Sequence, residues 1–449
     1  MSDRPNILFI IFDDLRPELG CYGQSHMHTP NIDRLGVSSV QFTRAYCQVP
    51  VCGASRASLF TGLRPTRQRF TDYLTWIDQD APDTLALHEH LRRHGYVTAA
   101  HGKVLHHAKD RPAGWTHQPV DPEEYFPIYA NPDNRAQSDR RQQAIARGEK
   151  PPRRAFPWEI GGEDVDEMSY SDGPMVQRVI DQMKQAAASD QPFFIGAGFH
   201  RPHLPFLAPK QYWDLYDRDA IELPGNPAPA NVPAQAMHSF GELRTYAGMP
   251  DDGPLDEQSA RTLIHGYRAS VSYIDALIGR LLDALDQQGL ADNTIVFFGA
   301  DHGFILGEHG LWCKHCLFET PLRVPLLMRV PGMAAGHCDA LVENLDIYPT
   351  LCDLLDLPAP EHLAGRSLVP QLRDPNAPGK TAVLSRFIDG DSVRTDQYRY
   401  TQYRQADGTV LGDMLFDLHA DPGETINLAD DPQHRQTVEQ LAALLPPPG

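Results

Sequence analysis

The stretch Asn6-Ile7-Leu8-Phe9-Ile10-Ile11-Phe12-Asp13-Asp14 is an apolar run of strand length that closes on two carboxylates. A run of this kind, without apolar/polar alternation, reads as a strand covered on both faces, the pattern of parallel sheets. Three more follow: Val97-Thr98-Ala99-Ala100, residues 193–199 and residues 293–300. Helical periodicity occupies 84–94, 172–188 and 260–288. The last of these carries Leu263, Tyr267, Val271, Ile274, Leu277, Leu281 and Leu285 on one face, with Gly289 to close it. Strands alternating with helices specify an α/β fold, a large sheet flanked by helices. Such open sheets gather ligands at the carboxyl ends of their strands.

Each run here ends in residues that carry chemistry. Asp13 and Asp14 are hard oxygen donors suited to Ca²⁺ or Mg²⁺, or else a helix cap. The second run enters His101-Gly102-Lys103-Val104-Leu105-His106, which offers one cation and one proton-transfer group, or else a surface lysine and a core histidine. The third enters His200-Arg201-Pro202-His203-Leu204-Pro205-Phe206, where two prolines stiffen an extended loop. Of its two histidines, His200 is expected to be structural. The fourth enters Asp301-His302-Gly303, then Gly307-Glu308-His309-Gly310 and Lys314. A further stretch, Val51-Cys52-Gly53-Ala54-Ser55-Arg56-Ala57-Ser58-Leu59-Phe60-Thr61-Gly62, sets a thiol four residues before a guanidinium. By itself that is either an activated nucleophile or a small buried cysteine at a helix start.

Composition narrows the class. A chain of 449 residues is long enough for one large domain and a smaller one, and its 41% hydrophobic content is ordinary for a globular enzyme. The net charge of −19 argues against a nucleic-acid partner and against long-range attraction of an anionic substrate, so any anion site must be local. Seven scattered cysteines form no disulfide framework, and the Cys313/Cys316 pair lacks a second ligand pair for zinc. No apolar run is long enough to span a membrane and no secretory signal opens the sequence, which sets cytoplasmic location as the expectation.

Taken together, the Cys52 stretch resembles the Cys-x-Pro/Ala-Ser-Arg…Thr-Gly signature of the type I, formylglycine-dependent sulfatases. Position 54 is Ala, where Pro is commonest. Pro30-Asn31-Ile32-Asp33-Arg34-Leu35, Gly-Lys-Val-x-His at 102–106, His-x-Pro-His-x-Pro at 200–205, Asp-His-Gly at 301–303 and Asp421-Pro422-Gly423-Glu424-Thr425-Ile426-Asn427-Leu428 follow in that family's order. The forms at 102–106 and 200–205 are most similar to the iduronate-2-sulfatase-like branch. The resemblance implies an alkaline-phosphatase-like sulfatase fold: a large mixed, mostly parallel sheet with helices, and a smaller C-terminal antiparallel sheet with a helix. It implies that Cys52 is oxidised to formylglycine by a maturase, and that the hydrate of that aldehyde is both nucleophile and metal ligand. Asp13, Asp14, Asp301 and His302 would complete the site of one divalent cation, Ca²⁺ with Mg²⁺ as the alternative. Lys103 and Lys314 would hold the sulfate, Arg56 would orient the hydrate, His203 would protonate the leaving oxygen and His106 would accept the proton that lets the sulfated hemiacetal collapse. His302 has a second reading, as a protonated contact to the sulfate. The substrate implied is a sulfated carbohydrate, a 2-O-sulfated uronic acid, or another small sulfate ester.

Rival readings are a phosphonate monoester hydrolase or phosphodiesterase of the same superfamily, and a catalytically silent sugar-binding member. Residues 1–370 are expected to form the catalytic domain and 371–449 a smaller subdomain, with short strands at 383–387, 397–403 and 414–418. Residues 108–163, rich in Pro, Arg, Gln and Asp, read as a long surface insertion without periodicity. Its basic group is Arg140, Arg141, Arg147, Lys150, Arg153 and Arg154. That group is either a solvated charge run or an anchor for an anionic sugar or a partner.

Overall fold

Every residue of the strand Asn6–Asp13 (β1) is buried, as an apolar run with no alternation requires. The computed structural model describes residues 4–119, 129–189 and 191–447, so positions 120–128 of the expected insertion lie outside the described residues. Around β1 stands a seven-stranded mixed sheet. It adds Val40–Tyr46 (β2), Val97–Gly102 (β3), Phe193–Pro202 (β4), Thr294–Ala300 (β5), Arg323–Arg329 (β6) and Gly336–Glu343 (β7), in the order β7-β2-β6-β5-β1-β4-β3. β1 is parallel to both β4 and β5, β3 is parallel to β4, and only β6 runs against its neighbours. The centre is aromatic. Phe9 stacks on Phe297 with ring centroids 4.2 Å apart, and Phe12 stacks on Phe199 at 4.7 Å; such pairs add about 0.5–1.5 kcal/mol to their burial.

Register decides what meets at the carboxyl edge. Phe12 is opposite Ala300, Asp13 opposite Pro202 and Gly102 opposite Gly198. The edge therefore presents Asp13 and Asp14, Lys103, His200 to His203, and Asp301 and His302 side by side. The crossing at Gly198 is tight, since a Cβ there would lie 2.1 Å from the Lys103 carbonyl carbon. Gly102, at φ +68°, turns the chain in the left-handed region that favours glycine.

Four helices matter for the site: Cys52–Thr61 (α1), Pro132–Ala146 (α2), Asp172–Ala187 (α3) and Glu257–Gln287 (α4). α4 is capped by Asp256, which accepts from the Ser259 amide at 2.8 Å, and its apolar stripe lies on β4 and α3 as the periodicity predicts. α2 corrects the expectation for 108–163. This helix buries Ala144 alone among its residues, so it has no apolar face to leave a period in the sequence. It is held instead by polar contacts: the Asn131 side chain caps it, Asn134 donates to Glu159 at 2.9 Å, and Gln137 donates to the Arg154 carbonyl at 2.9 Å.

The C-terminal sheet has four antiparallel strands, Val383–Phe387 (β8), Gly390–Arg394 (β9), Tyr398–Arg404 (β10) and Val410–Asp417 (β11), one more than expected. β9 escaped notice because it is buried but largely polar: Ser392 meets Thr401 at 2.9 Å and Asp391 meets Arg404 at 3.2 Å. With the helix Arg435–Ala442 the sheet closes a second small core around Val393, Tyr400, Leu415, Leu441 and Leu445. No described helix is long and apolar enough to cross a membrane.

Candidate active site

Asp301 is the hub of the carboxyl edge. Its amide continues the ladder by donating to the Phe12 carbonyl at 3.1 Å. One carboxylate oxygen accepts from the amides of Asp14 (3.3 Å) and His302 (2.9 Å), and the other accepts from Arg56 Nε at 2.8 Å. Its carbonyl accepts from the Ser55 hydroxyl at 2.5 Å. The Ser-Arg of the Cys52 stretch thus clamps Asp301 from α1, and Cys52, the first residue of that helix, is carried to the same place. Arg56 is fully buried and also donates to the carbonyls of Lys103 and, at 3.1 Å, Val104. One guanidinium ties α1, β5 and the turn after β3 together. On the far side, Tyr267 of α4 donates to the Asp14 carbonyl at 2.9 Å and accepts from the Arg16 amide at 2.9 Å. Those contacts hold Asp14 in a left-handed conformation (φ 68°), the kind of backbone that surrounding structure sustains at functional sites.

Three observations fit these groups to a cation. The ligand atoms of Asp13, Cys52 and His302 lie within 4.8 Å of one another, as do those of Asp13, Asp14 and His203. Asp13 Oδ1 and His302 Nε2 are buried without a hydrogen-bond partner among the described residues. His302 Nδ1 faces its neighbour's carbonyl, Gly303 O, at 2.9 Å, which makes it the N–H and leaves the Nε2 lone pair toward Asp13 and Asp301, 4.0 and 3.7 Å away. The ionisable groups are strongly perturbed: against its burial, Asp301 and Asp13 raise the His302 pKa. Burial pushes the Asp14 carboxyl up to about 8 despite Lys314 and His203. At Asp13 burial acts the same way, but Lys103, His203, Arg56 and Lys314 reverse it and hold the group well below the usual carboxylate range. The carboxylate oxygens of Asp13, Asp14 and Asp301, with the His302 imidazole and residue 52, suit a hard divalent ion.

Above this floor opens a cavity of about 530 Å³, lined by Cys52, Lys103, His106, His203, Glu242 and Lys314 among others. Lys103 pairs with Asp13, and Lys314 Nζ lies 3.1 Å from Asp14. His203 has acceptors at both nitrogens: Leu204 O is 2.6 Å from Nδ1 and Glu242 Oε1 is 3.1 Å from Nε2. Acceptors at both ends can hold both N–H groups of an imidazolium. His106 is the opposite. Burial, then Lys103, lowers its pKa well below that of free histidine, and its Nδ1 has no partner among the described residues. One side of the cavity therefore sets two acceptors around an imidazole, and the other offers an imidazole with an open nitrogen.

All the residues singled out from the sequence for metal, sulfate and proton transfer meet at this one edge. His200, expected to be structural, also lines the cavity, with its amide held at 2.7 Å by Asp172. Glu242 was not foreseen. It contacts His203 and, at 3.1 Å, Lys314, yet it sits on a four-residue helix, Gly241–Arg244, with no motif around it. Cys313 and Cys316 are buried free thiols.

Residues 5–357 match the sulfatase family model, and residues 307–446 match the model described as N-sulphoglucosamine sulphohydrolase, C-terminal. The chain is 31% identical to iduronate 2-sulfatase of Mus musculus, covering 98% of this chain and 93% of that protein. It is 32% identical to a sulfatase of Formosa agariphila, with 99% and 87% covered. Among solved structures, the phosphonate monoester hydrolase of Silicibacter pomeroyi superposes with a TM-score of 0.77 at 22% identity, over 98% of this chain and 94% of that one.

Proposed function

The chain belongs to the sulfatase family and is a sulfuric ester hydrolase, and from that premise we propose that it frees sulfate from a sulfated sugar, a 2-O-sulfated uronic acid, with Cys52 converted by a maturase to formylglycine. In this reading Asp13, Asp14, Asp301, His302 and residue 52 hold one divalent cation, Ca²⁺ with Mg²⁺ as the alternative. The observation that carries it is the meeting of Asp13, Cys52 and His302 donor atoms within 4.8 Å at the floor of a lysine-flanked cavity. When present, the cation supplies Lewis acidity and formylglycine supplies a hydrated-aldehyde oxygen as nucleophile.

The side chains then divide the work. Lys103 and Lys314 neutralise the sulfuryl oxygens, a role whose removal typically slows turnover by roughly 10²–10³-fold. His203 delivers its proton to the sugar oxygen as the O–S bond breaks, worth roughly 10²–10⁴-fold for an unactivated alcohol. His106, held neutral by burial and by Lys103, takes up a proton during release of sulfate. Arg56 keeps Asp301 and residue 52 in mutual register. The sum is one water consumed, and one sugar alcohol, one sulfate and one proton released. Likeness to a protein named iduronate 2-sulfatase over nearly the whole chain supports the 2-O-uronate choice.

The test is the mass of the tryptic peptide 45–56 from protein made together with a maturase, followed by sulfate release from a 2-O-sulfated uronic acid glycoside. A loss of roughly the mass of one water, with sulfate released, is expected. Full turnover by Cys52→Ser would overturn the scheme.

A further inference from the structure

The six basic side chains clustered at 140–154 of the insertion meet different fates. Arg141 donates to the Pro152 carbonyl, Arg147 pairs with Glu149 at 2.9 Å, and Arg153 pairs with Asp251. Arg140 and Lys150 are exposed. Arg154, of the six, lines the cavity above Cys52.

Its placement is built in. The Arg154 amide donates to Thr245 O at 2.8 Å, and its carbonyl accepts from Ala247 at 3.0 Å and from Gln137 of α2 at 2.9 Å. That bridge joins the insertion to the segment that carries Glu242. The guanidinium lies over the ring of buried Tyr246, 5.3 Å from its centroid, with Nη1 3.5 Å from the Tyr246 hydroxyl. Its Nε is buried and has no acceptor among the described residues. The cavity's lysines pair with acidic neighbours, Lys103 with Asp13 and Lys314 with Asp14 and Glu242, and in the reading above they serve the scissile sulfate. A guanidinium stacked on an aromatic face with a buried donor unanswered is a fork prepared for a carboxylate or sulfate. In a chain of net charge −19 such an anchor has to be local.

We infer that Arg154 binds a second oxyanion of the substrate, carried beside the scissile sulfate: the uronic acid carboxylate, or else a second sulfate. The inference rests on the sulfatase reading above and adds to it the feature by which substrate is chosen. The guanidinium donates to the oxyanion, and a neutral sugar in the same place offers it no charged acceptor.

The test uses full-length, formylglycine-bearing wild type, Arg154→Gln and Arg154→Lys. Three substrates are compared by kcat/KM: a 2-O-sulfated uronic acid glycoside, its carboxyl-reduced counterpart, and a disulfated hexosamine. Wild type is expected to favour the uronate over the reduced sugar by about 10- to 100-fold. That ratio should collapse in Arg154→Gln, chiefly through KM, and return in part in Arg154→Lys. A merely structural defect lowers both substrates together and leaves the ratio where it was, and a ratio preserved in Arg154→Gln overturns the inference. Preference for the disulfated sugar, lost in Arg154→Gln, assigns the same subsite to sulfate. Sulfate release with no preference for either anion overturns the inference while the sulfatase reading stands. If no ester is turned over, that reading fails, and calorimetric titration with the desulfated uronic acid glycoside still decides the subsite. There the expected result is binding weakened about 10-fold or more by Arg154→Gln, and unchanged binding overturns it.

Discussion

Arg56 shows how much one side chain can organise. It is buried completely, pairs with Asp301 at 2.8 Å, and reaches the backbone after β3. Breaking a buried pair leaves the partner charge stranded, which costs about 3–5 kcal/mol. Arg56→Ala is therefore expected to lower the melting temperature and abolish turnover together, read by thermal denaturation and sulfate release. Glu242 calls for a finer measurement. Its carboxylate lies 3.1 Å from His203 Nε2, which orients that ring. Glu242→Gln should slow sulfate esters of poor leaving groups by about 10- to 100-fold, and esters of acidic phenols much less. A rate plot against leaving-group acidity that steepens in the variant bears this out, and equal loss across the series refutes it.

Between elements, close approach and charge pairing carry the load. The β3–β4 crossing depends on Gly198, where a Cβ would sit 2.1 Å from the Lys103 carbonyl carbon. Because backbone cannot yield as a side-chain tip does, Gly198→Ala should displace Lys103 and remove activity even where the fold survives, which circular dichroism and turnover would separate. The loop after β1 is fastened to α4 through Glu18, which meets Arg16 and Arg268 at 3.0 Å each. Burial raises the Glu18 pKa, but Arg16, His26 and Arg268 outweigh it and bring it to about 2. Its folded value lies below its unfolded one, so the unfolded chain binds more protons in between. The stabilisation is thus full above about 4.5 and lost as pH falls toward about 2, up to about 3 kcal/mol. Glu18→Gln should flatten that stretch of a stability-versus-pH curve.

Across the whole molecule, a net charge of −19 surrounds a cavity that Lys103, Arg154 and Lys314 line. Long sulfated polymers meet the general repulsion before the local attraction, and short oligosaccharides meet much less of it. Raising ionic strength from about 0.01 to 0.15 M, which shortens the screening length from about 30 to 8 Å, should narrow the kcat/KM gap between polymer and oligosaccharide. A gap that widens would contradict this. Chelation is the complementary test. Removing divalent ions should abolish turnover and lower the melting temperature. At 100-fold excess over its dissociation constant, Ca²⁺ should restore about 2.7 kcal/mol.

What could be read from residues alone followed from strong local rules. Unbroken apolar runs at 7–12, 193–199 and 294–300 named the central strands, since a strand buried on both faces has no other way to be written. Asp13, Asp14, His203, Asp301 and His302 stood just past those runs, and Lys103 just past the run 97–100, where a parallel sheet brings them together. Polar elements left no such trace. α2, with Ala144 as its one buried residue, and β9, buried but built of Asp, Ser and Arg, have no apolar period. Glu242 and Arg154 reach the cavity through contacts spanning 72 and 92 positions, to Lys314 and Tyr246. Four strands of the large sheet and the family signature were legible in the residues, because hydrophobic periodicity and motif spacing are local. Which carboxylate faces His203, and which of six basic side chains enters the cavity, follows from chain crossings in the folded molecule that no local pattern encodes.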